Sequence, residues 1–327
     1  MEVLAELKER ARARCPRIVF AEGDDPTIVK AALRVLADGI ARPILVRTTA
    51  AGPLPADAAG IEAVDPRASR QRAAYARSYA ERESFPERPA AHLLKNPVNF
   101  AAAMAGSGDA DGLVAGFTYG TAAVIIASRM FIGMRDGVST PSSFFLMDVP
   151  GWSGPEGRLL IFADCAVNPN PTAEELADIA LSTAASARAL LGWIPRVAML
   201  SFSTRGSASH PDVDKVVAAL QIAREREPAL TIDGEMQVDA ALIPAVAEKK
   251  MDGEGAVGGR ANILVFPDLD AGNIAYKLVQ RLASAAAYGP VFQGFRRPVS
   301  DLSKGASIDD IVGATIIVAA LSEPAPA

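Results

Sequence analysis

The 327-residue chain carries 33 Lys and Arg against 38 Asp and Glu, a net charge of −5, and half of its residues are apolar while only 6% are aromatic. A chain of this length builds two domains or one large α/β unit around a core of Ala, Val, Leu and Ile. The acidic balance argues against nucleic acid as a main partner, and Cys15, Cys165, His92 and His210 are too few and too scattered for a disulfide framework or a zinc site.

No stretch reaches membrane-spanning length, and the segment from Met1 to Lys8 lacks the apolar centre of a signal peptide, so a cytoplasmic enzyme is expected. From the N-terminus, the pattern predicts a helix over Glu2–Arg14, then the strand Arg17–Ala21, ended by the turn Glu22-Gly23-Asp24-Asp25-Pro26. A helix over Thr27–Asp38 and the strand Ile44–Val46 complete a βαβ unit. Residues 48–65 read as a surface connection. Residues 68–106 read as charged helix broken at Pro86 and at Asn96-Pro97.

The strand Gly112–Gly116, a helix over Thr121–Ile132 and the strand Ser143–Met147 come next, and Pro150–Gly157 is the candidate domain hinge. Beyond it the expected order is strand Leu159–Asp164, helix Ala173–Leu191 entered through a Thr172/Glu175 capping box, and strand Val197–Phe202. Helix Pro211–Arg226, strand Leu230–Ile232, a helix over Ala240–Lys249, strand Ile263–Phe266 and helix Gly272–Leu282 follow, and the tail from Pro324 to Ala327 is expected to be disordered. Strands alternating with helices imply parallel sheets, with ligands at the carboxyl ends of the strands.

Polar clusters fall at those ends. Ser201-Phe202-Ser203-Thr204-Arg205-Gly206-Ser207 leaves a strand with hydroxyls, a guanidinium and a flexible glycine, a donor set suited to a phosphoryl or acyl oxygen or, alternatively, to an ordinary helix-capping loop. Asp233, Glu235 and Asp239 follow the next strand; they suit a magnesium ion, the orientation of Arg205 or Lys304, or plain capping. Gly253-Glu254-Gly255-Ala256-Val257-Gly258 has the letters of a dinucleotide fingerprint, but a polar segment precedes it and a strand follows, the reverse of the required context.

Ser307 and Asp310 open the last apolar helix with capping spacing, beside Ser303, Lys304 and Gly305. A helix start next to a lysine attracts anions, and Asp310 is there either as a cap or as a base.

Several of these stretches together resemble the phosphate acetyltransferase (phosphotransacetylase) group of the phosphate acetyl/butyryl transferases over essentially the whole length. They are Phe162-Ala163-Asp164-Cys165, Pro171–Ala180, Ala198–Ser207, Asp233–Ala240, Phe266–Lys277 and Tyr288–Asp310. The resemblance implies two α/β domains with an interdomain cleft, like those of the isocitrate and isopropylmalate dehydrogenases. It assigns both chain ends, 1–146 and 292–327, to the first domain and 147–291 to the second.

It also implies the reversible reaction of acetyl-CoA with phosphate to give CoA and acetyl phosphate, in a homodimer with no metal and no tightly bound cofactor, CoA being a substrate. Carried onto this chain, Asp310 becomes the base for the CoA thiol and Ser303 a contact to the acyl or phosphate group. Lys304 takes the place of an arginine that stabilises the reacting carbonyl, and Ser203, Thr204, Arg205, Gly206 and Ser207 help to hold acetyl phosphate. Arg82 matches a CoA-associated arginine, and Ile126 stands where another is usual, with Arg129 a turn away as its substitute. Two readings remain beside the acetyltransferase: an acyl-CoA-binding regulatory homologue without turnover, and a phosphate butyryltransferase.

Overall fold

The computed structural model describes residues 2–48, 52–251 and 255–322. It divides into two compact units, residues 1–135 with 295–327, and residues 136–294. In the first, α1 (Glu2–Arg14) leads to β1 (Arg17–Phe20), α2 (Pro26–Ala37), β2 (Arg42–Val46), β3 (Glu62–Val64), α3 (Gln71–Glu83), α4 (Glu87–Leu93), α5 (Pro97–Gly106), β4 (Gly112–Ala115) and α6 (Thr121–Ala127).

The second unit contains β5 (Ser142–Asp148), β6 (Leu159–Ala163), α7 (Ala173–Leu191), β7 (Arg196–Leu200), α8 (Pro211–Arg226) and β8 (Thr231–Met236). It continues with α9 (Val238–Leu242), α10 (Pro244–Lys250), β9 (Ile263–Val265), α11 (Leu269–Leu282) and β10 (Ala286–Gln293). The chain then returns to the first unit as β11 (Val299–Asp301) and α12 (Ile308–Leu321).

In the first unit the strand order is β3-β2-β1-β4-β11, and every pairing is parallel. The loops after all five strands therefore leave at one edge of the sheet. α12 is the central cover: ten consecutive residues, Ile311–Ala320, are buried, so this helix is apolar all round rather than along one stripe. Asp25, with Pro26 behind it, caps α2, its carboxylate accepting from the Thr27 amide at 2.7 Å.

The second unit has the order β10-β5-β6-β9-β7-β8. Here the expectation of parallel pairing needs correction, because β10 runs antiparallel to β5 and β5 antiparallel to β6. Residues 150–157, expected as the hinge, join those two antiparallel strands and so lie inside the second unit. β5, which a boundary at 146/147 would cut, also lies wholly in that unit.

The capping box of α7 forms as expected, Thr172 Oγ1 accepting from the Glu175 amide and Glu175 accepting from the Thr172 amide. The single helix expected over Ala240–Lys249 is instead α9 and α10. Pro244 lacks an amide hydrogen and starts the second helix, so the first stops at Leu242. The helix expected over Thr121–Ile132 is α-helical to Ala127 and continues as the π-helical turn Ser128–Ile132. The expected tail at 324–327 and part of the glycine motif at 253–258 lie outside the described residues.

Candidate functional site

β11 and α12 bracket the loop that carries Ser303, Lys304 and Gly305, all three exposed. The Leu302 amide donates to Ala115 O at 2.7 Å, which fastens the start of the loop to the end of β4, and a turn closes it through Ala306 N to Ser303 O at 2.9 Å. At its end Ser307 and Asp310 form a reciprocal capping box. Ser307 Oγ accepts from the Asp310 amide at 3.2 Å, while Asp310 Oδ2 accepts from the Ser307 amide at 2.9 Å and from the Ser307 hydroxyl at 2.7 Å. The capping role of Asp310 is thus real, but all of it falls on Oδ2. The segment therefore presents a hydroxyl, an ammonium and a carboxylate oxygen to solvent within eight residues, able to hold an oxyanion and accept a proton.

Behind this loop sit buried carboxylates that the sequence reading did not single out. Asp301 is 5% exposed; the Thr121 hydroxyl at the start of α6 donates to its Oδ2 at 2.5 Å, and its Oδ1 is buried without a hydrogen bond. Glu22, 6% exposed at the end of β1, accepts on Oε1 from the amides of Gly116, Thr118 and Tyr119 at 3.2, 2.7 and 3.1 Å, and its Oε2 is likewise buried and unbonded. Burial pushes the Asp301 carboxyl up to about 6; the Thr121 bond opposes the rise and the charge on Glu22 adds to it. Gly116, at φ +100°, is required here: a Cβ would lie 2.0 Å from Asp301 Oδ1. The signal available in sequence was an acid closing each of two strands.

In the second unit, the Ser203–Ser207 loop is built on Glu235 rather than left open for a ligand. Glu235 is 4% exposed, and its Oε1 accepts from Ser203 Oγ at 2.7 Å and from the Gly206 amide at 2.7 Å. Ser207 Oγ accepts from the Thr204 amide at 2.9 Å, and Thr204 Oγ1 from the Gln237 amide at 3.0 Å. Ser203 is fully buried and Thr204 nearly so, which leaves Arg205, Gly206 and Ser207 as the exposed part of the loop. Arg205 Nη2 donates to both oxygens of the fully buried Asp233, at 2.8 and 3.0 Å, and Arg224 donates to the same carboxylate at 3.2 Å.

Of the open readings of the acidic run, the orientation of Arg205 is the one realised by Asp233; Asp239 pairs with Lys250 at 2.7 Å. Among the described residues no group of three or more His, Cys, Asp or Glu is arranged to hold a metal ion. Asp164 of the Phe162–Cys165 motif is also an organiser, receiving the amides of Ser143, Ala166, Val167 and Asn168. Burial pushes the neighbouring Cys165 thiol well up, with the Asp164 charge adding to it, so this thiol is no nucleophile.

Arg82, in the last turn of α3, donates from Nη2 to Met130 O and from Nε to Glu83 at 2.8 Å. It is thereby fastened to the segment that bears Arg129, which is exposed on the π-helical turn, as is Ile126 one turn earlier at 57%.

Residues 2–319 match the family model described as phosphate acetyl/butaryl transferase. A phosphate acetyltransferase from Thermoanaerobacterium thermosaccharolyticum is 46% identical over 321 residues, covering 95% of this chain and 97% of its own. Among solved structures, a phosphotransacetylase from Streptococcus pyogenes superposes with a TM-score of 0.88 at 37% identity, over 98% of this chain and 97% of that one. A 4-hydroxythreonine-4-phosphate dehydrogenase from Klebsiella pneumoniae shares the fold alone, with a TM-score of 0.50 at 12% identity over 93% and 98% of the two chains. With its mixed α/β fold and this match from end to end, the chain belongs to the phosphate acetyl/butaryl transferase family.

Proposed function

We propose that the chain is a phosphate acetyltransferase, catalysing acetyl-CoA + phosphate ⇌ CoA + acetyl phosphate. The observation that carries the reading is the loop between β11 and α12, with Ser303, Lys304 and Asp310 exposed on one short segment, in a chain 46% identical to a phosphate acetyltransferase.

In the direction of acetyl-CoA synthesis, Asp310 takes the proton of the CoA thiol on Oδ1, since Oδ2 is occupied by Ser307. A thiol of pKa about 8.5 is only a few per cent ionised at neutral pH, so the base raises the concentration of the nucleophile. The thiolate attacks the acetyl carbon, the carbonyl oxygen gains charge beside Lys304 and Ser303, and the C–O bond breaks as phosphate leaves. In reverse, a phosphate oxygen attacks the thioester carbon, the C–S bond breaks, and the proton on Asp310 passes to the CoA sulfur.

Arg205, Gly206 and Ser207 contact the phosphoryl group in this scheme, with Ser203 and Thr204 holding their loop in shape. Arg82 and Arg129 contribute to CoA binding. The finer fold description, two α/β domains of the isocitrate and isopropylmalate dehydrogenase kind with an interdomain cleft, belongs to the same proposal, with the limits moved from 146/147 and 291/292 to those of the two compact units, 135/136 and 294/295. So does a cytoplasmic homodimer, for which the exposed stripe Ile274, Leu278 and Leu282 on α11 supplies an apolar face.

Purified protein should form acetyl phosphate from acetyl-CoA and phosphate with a chelator present; no product with acetyl-, propionyl- or butyryl-CoA would remove the reading. Two observations favour the regulatory alternative: a lysine stands at 304, and Ile126 stands where the resemblance implies an arginine. A protein of that kind would bind acetyl-CoA equally well as Asp310→Asn and turn nothing over.

A further inference from the structure

Asp301 closes β11 directly across from Ala115, the last residue of β4, and one residue later the Leu302 amide donates to Ala115 O at 2.7 Å. Only Leu302 separates Asp301 from Ser303, with Lys304 next, so where Asp301 is held the start of the reacting loop is held. Its side chain reaches a different part of the chain. Oδ2 accepts from the hydroxyl of Thr121, 180 residues earlier, at 2.5 Å, and Thr121 is the first residue of α6.

The segment 116–121 is gripped along its length by two buried carboxylates. Glu22 Oε1 takes the amides of Gly116, Thr118 and Tyr119 and, at 3.2 Å, the Thr118 hydroxyl, while Asp301 takes the far end through Thr121. Gly116 is packed so closely on Asp301 that a Cβ there would also lie 2.8 Å from the Leu302 amide nitrogen. The loops after β4 and β11 are thus built as one piece, with Asp301 as the side chain that joins them.

This joint costs stability rather than adding it. Among the described residues the Thr121 hydroxyl is the one hydrogen-bond partner of the Asp301 carboxylate, since Oδ1 is buried without any. Burial pushes its carboxyl up to about 6, so at neutral pH the group is mostly ionised and the Thr121 bond is charge-assisted. An apolar side chain would fill the same place without burying a charge. A costly group retained directly behind reacting residues is a mark of a functional constraint. At 5% exposure Asp301 stands behind the groups that meet a substrate, not among them.

We propose that Asp301 is a positioning residue: by clamping the Thr121 hydroxyl it holds Ser303 and Lys304 in place against the start of α6, and so sets where the reacting carbonyl meets them. This rests on the acetyltransferase reading, which supplies that carbonyl. Misplacing a reacting group by about 1 Å costs on the order of a hundredfold in rate. The loss falls on kcat, because neither Asp301 nor its bond to Thr121 touches a substrate.

Thr121→Val and Thr121→Ala remove the donor, Thr121→Ser keeps it, and Asp301→Asn keeps a neutral acceptor. Thr121 is only partly buried, so these variants should fold, and thermal midpoints check that they do. kcat should fall about ten- to a hundredfold in the Val and Ala variants, with KM for acetyl-CoA and for phosphate within about twofold of wild type. Thr121→Ser should restore kcat, and Asp301→Asn should fall between Ser and Val. The double variant Thr121→Val with Asp301→Asn should be no slower than Thr121→Val alone, since both lose one bond. Asp178→Asn, in the second unit, is the control for destabilisation as such and should keep its kcat well below its midpoint. Wild-type kcat in the Val and Ala variants, a Ser variant as slow as they are, or losses that multiply in the double variant would overturn the proposal. If wild type shows no turnover, the acetyltransferase reading falls by itself, and hydrogen exchange of the amides in 302–306 decides the joint. Faster exchange in Thr121→Val than in wild type and Thr121→Ser sustains it, and equal exchange overturns it.

Discussion

The Glu235 carboxylate, buried at the end of β8, accepts the Ser203 hydroxyl at 2.7 Å. The same oxygen takes the Gly206 amide, so one buried charge sets the shape of the whole 203–207 loop. Glu235→Gln leaves an acceptor but removes the charge and adds amide hydrogens where only acceptors are wanted. It should lower stability by about 1–3 kcal/mol and raise KM for acetyl phosphate more than KM for CoA. Denaturant titration and steady-state kinetics check both parts.

Asp310 is a cap and, in the proposed mechanism, a base, and two substitutions separate the roles. Asp310→Asn keeps a side-chain acceptor for Ser307 and should leave the thermal midpoint nearly unchanged while kcat falls about 10²–10⁴-fold. Asp310→Ala should lose the same activity and also about 1 kcal/mol of stability. An Asn variant that loses stability but keeps its kcat would make Asp310 a cap alone.

Lys304 carries the charge expected at the reacting carbonyl but not the planar fork of an arginine. Lys304→Ala should reduce kcat about 10²–10³-fold, and Lys304→Arg should raise it above wild type. The side chain is exposed, so the unfolding free energy should stay within about 0.5 kcal/mol of wild type.

Asp301 supplies a pH signature. Its folded pKa of about 6 lies above the unfolded carboxylate value, so ionising it costs stability. The protein should lose stability through this group as pH rises from about 4 to about 6, and carry the full penalty above that. Asp301→Asn keeps an acceptor for Thr121 and removes the ionisation. It should flatten this part of the curve and be no less stable than wild type at pH 7.5, by equilibrium unfolding across that range.

Asp178 gives the opposite sign. Burial raises its pKa, but bonds from Ser139, Arg226 and Thr140 outweigh that and hold it below the usual value. Stability from this group is present above about pH 4 and lost as pH falls through the lowered value. Asp178→Asn should be destabilised at pH 7 and converge toward wild type in acid.

Much of the fold was legible because the responsible forces are local. The α7 start was readable from Thr172 and Glu175, whose side chains and amides satisfy one another without help from the rest of the chain. β11 was not readable: of Val299, Ser300 and Asp301 only the first is apolar, and their burial depends on neighbouring strands. β10 was hidden by Tyr288-Gly289-Pro290, which interrupts its register against β5 between Tyr288 and Val291. At the candidate site, motif spacing pointed to Ser303, Lys304 and Asp310 and marked Glu235 only as one of three acids with open roles, while it passed over Glu22 and Asp301. Their importance comes from which amides and hydroxyls the fold aims at them.

The acetyltransferase reading is tested most directly by the rate of acetyl phosphate formation from acetyl-CoA and phosphate with a chelator present, wild type beside Asp310→Asn. The account predicts phosphate-dependent turnover in wild type and a loss of at least about a hundredfold in the variant at equal stability. Equal rates in the two proteins, or no phosphate-dependent turnover in wild type, would contradict it.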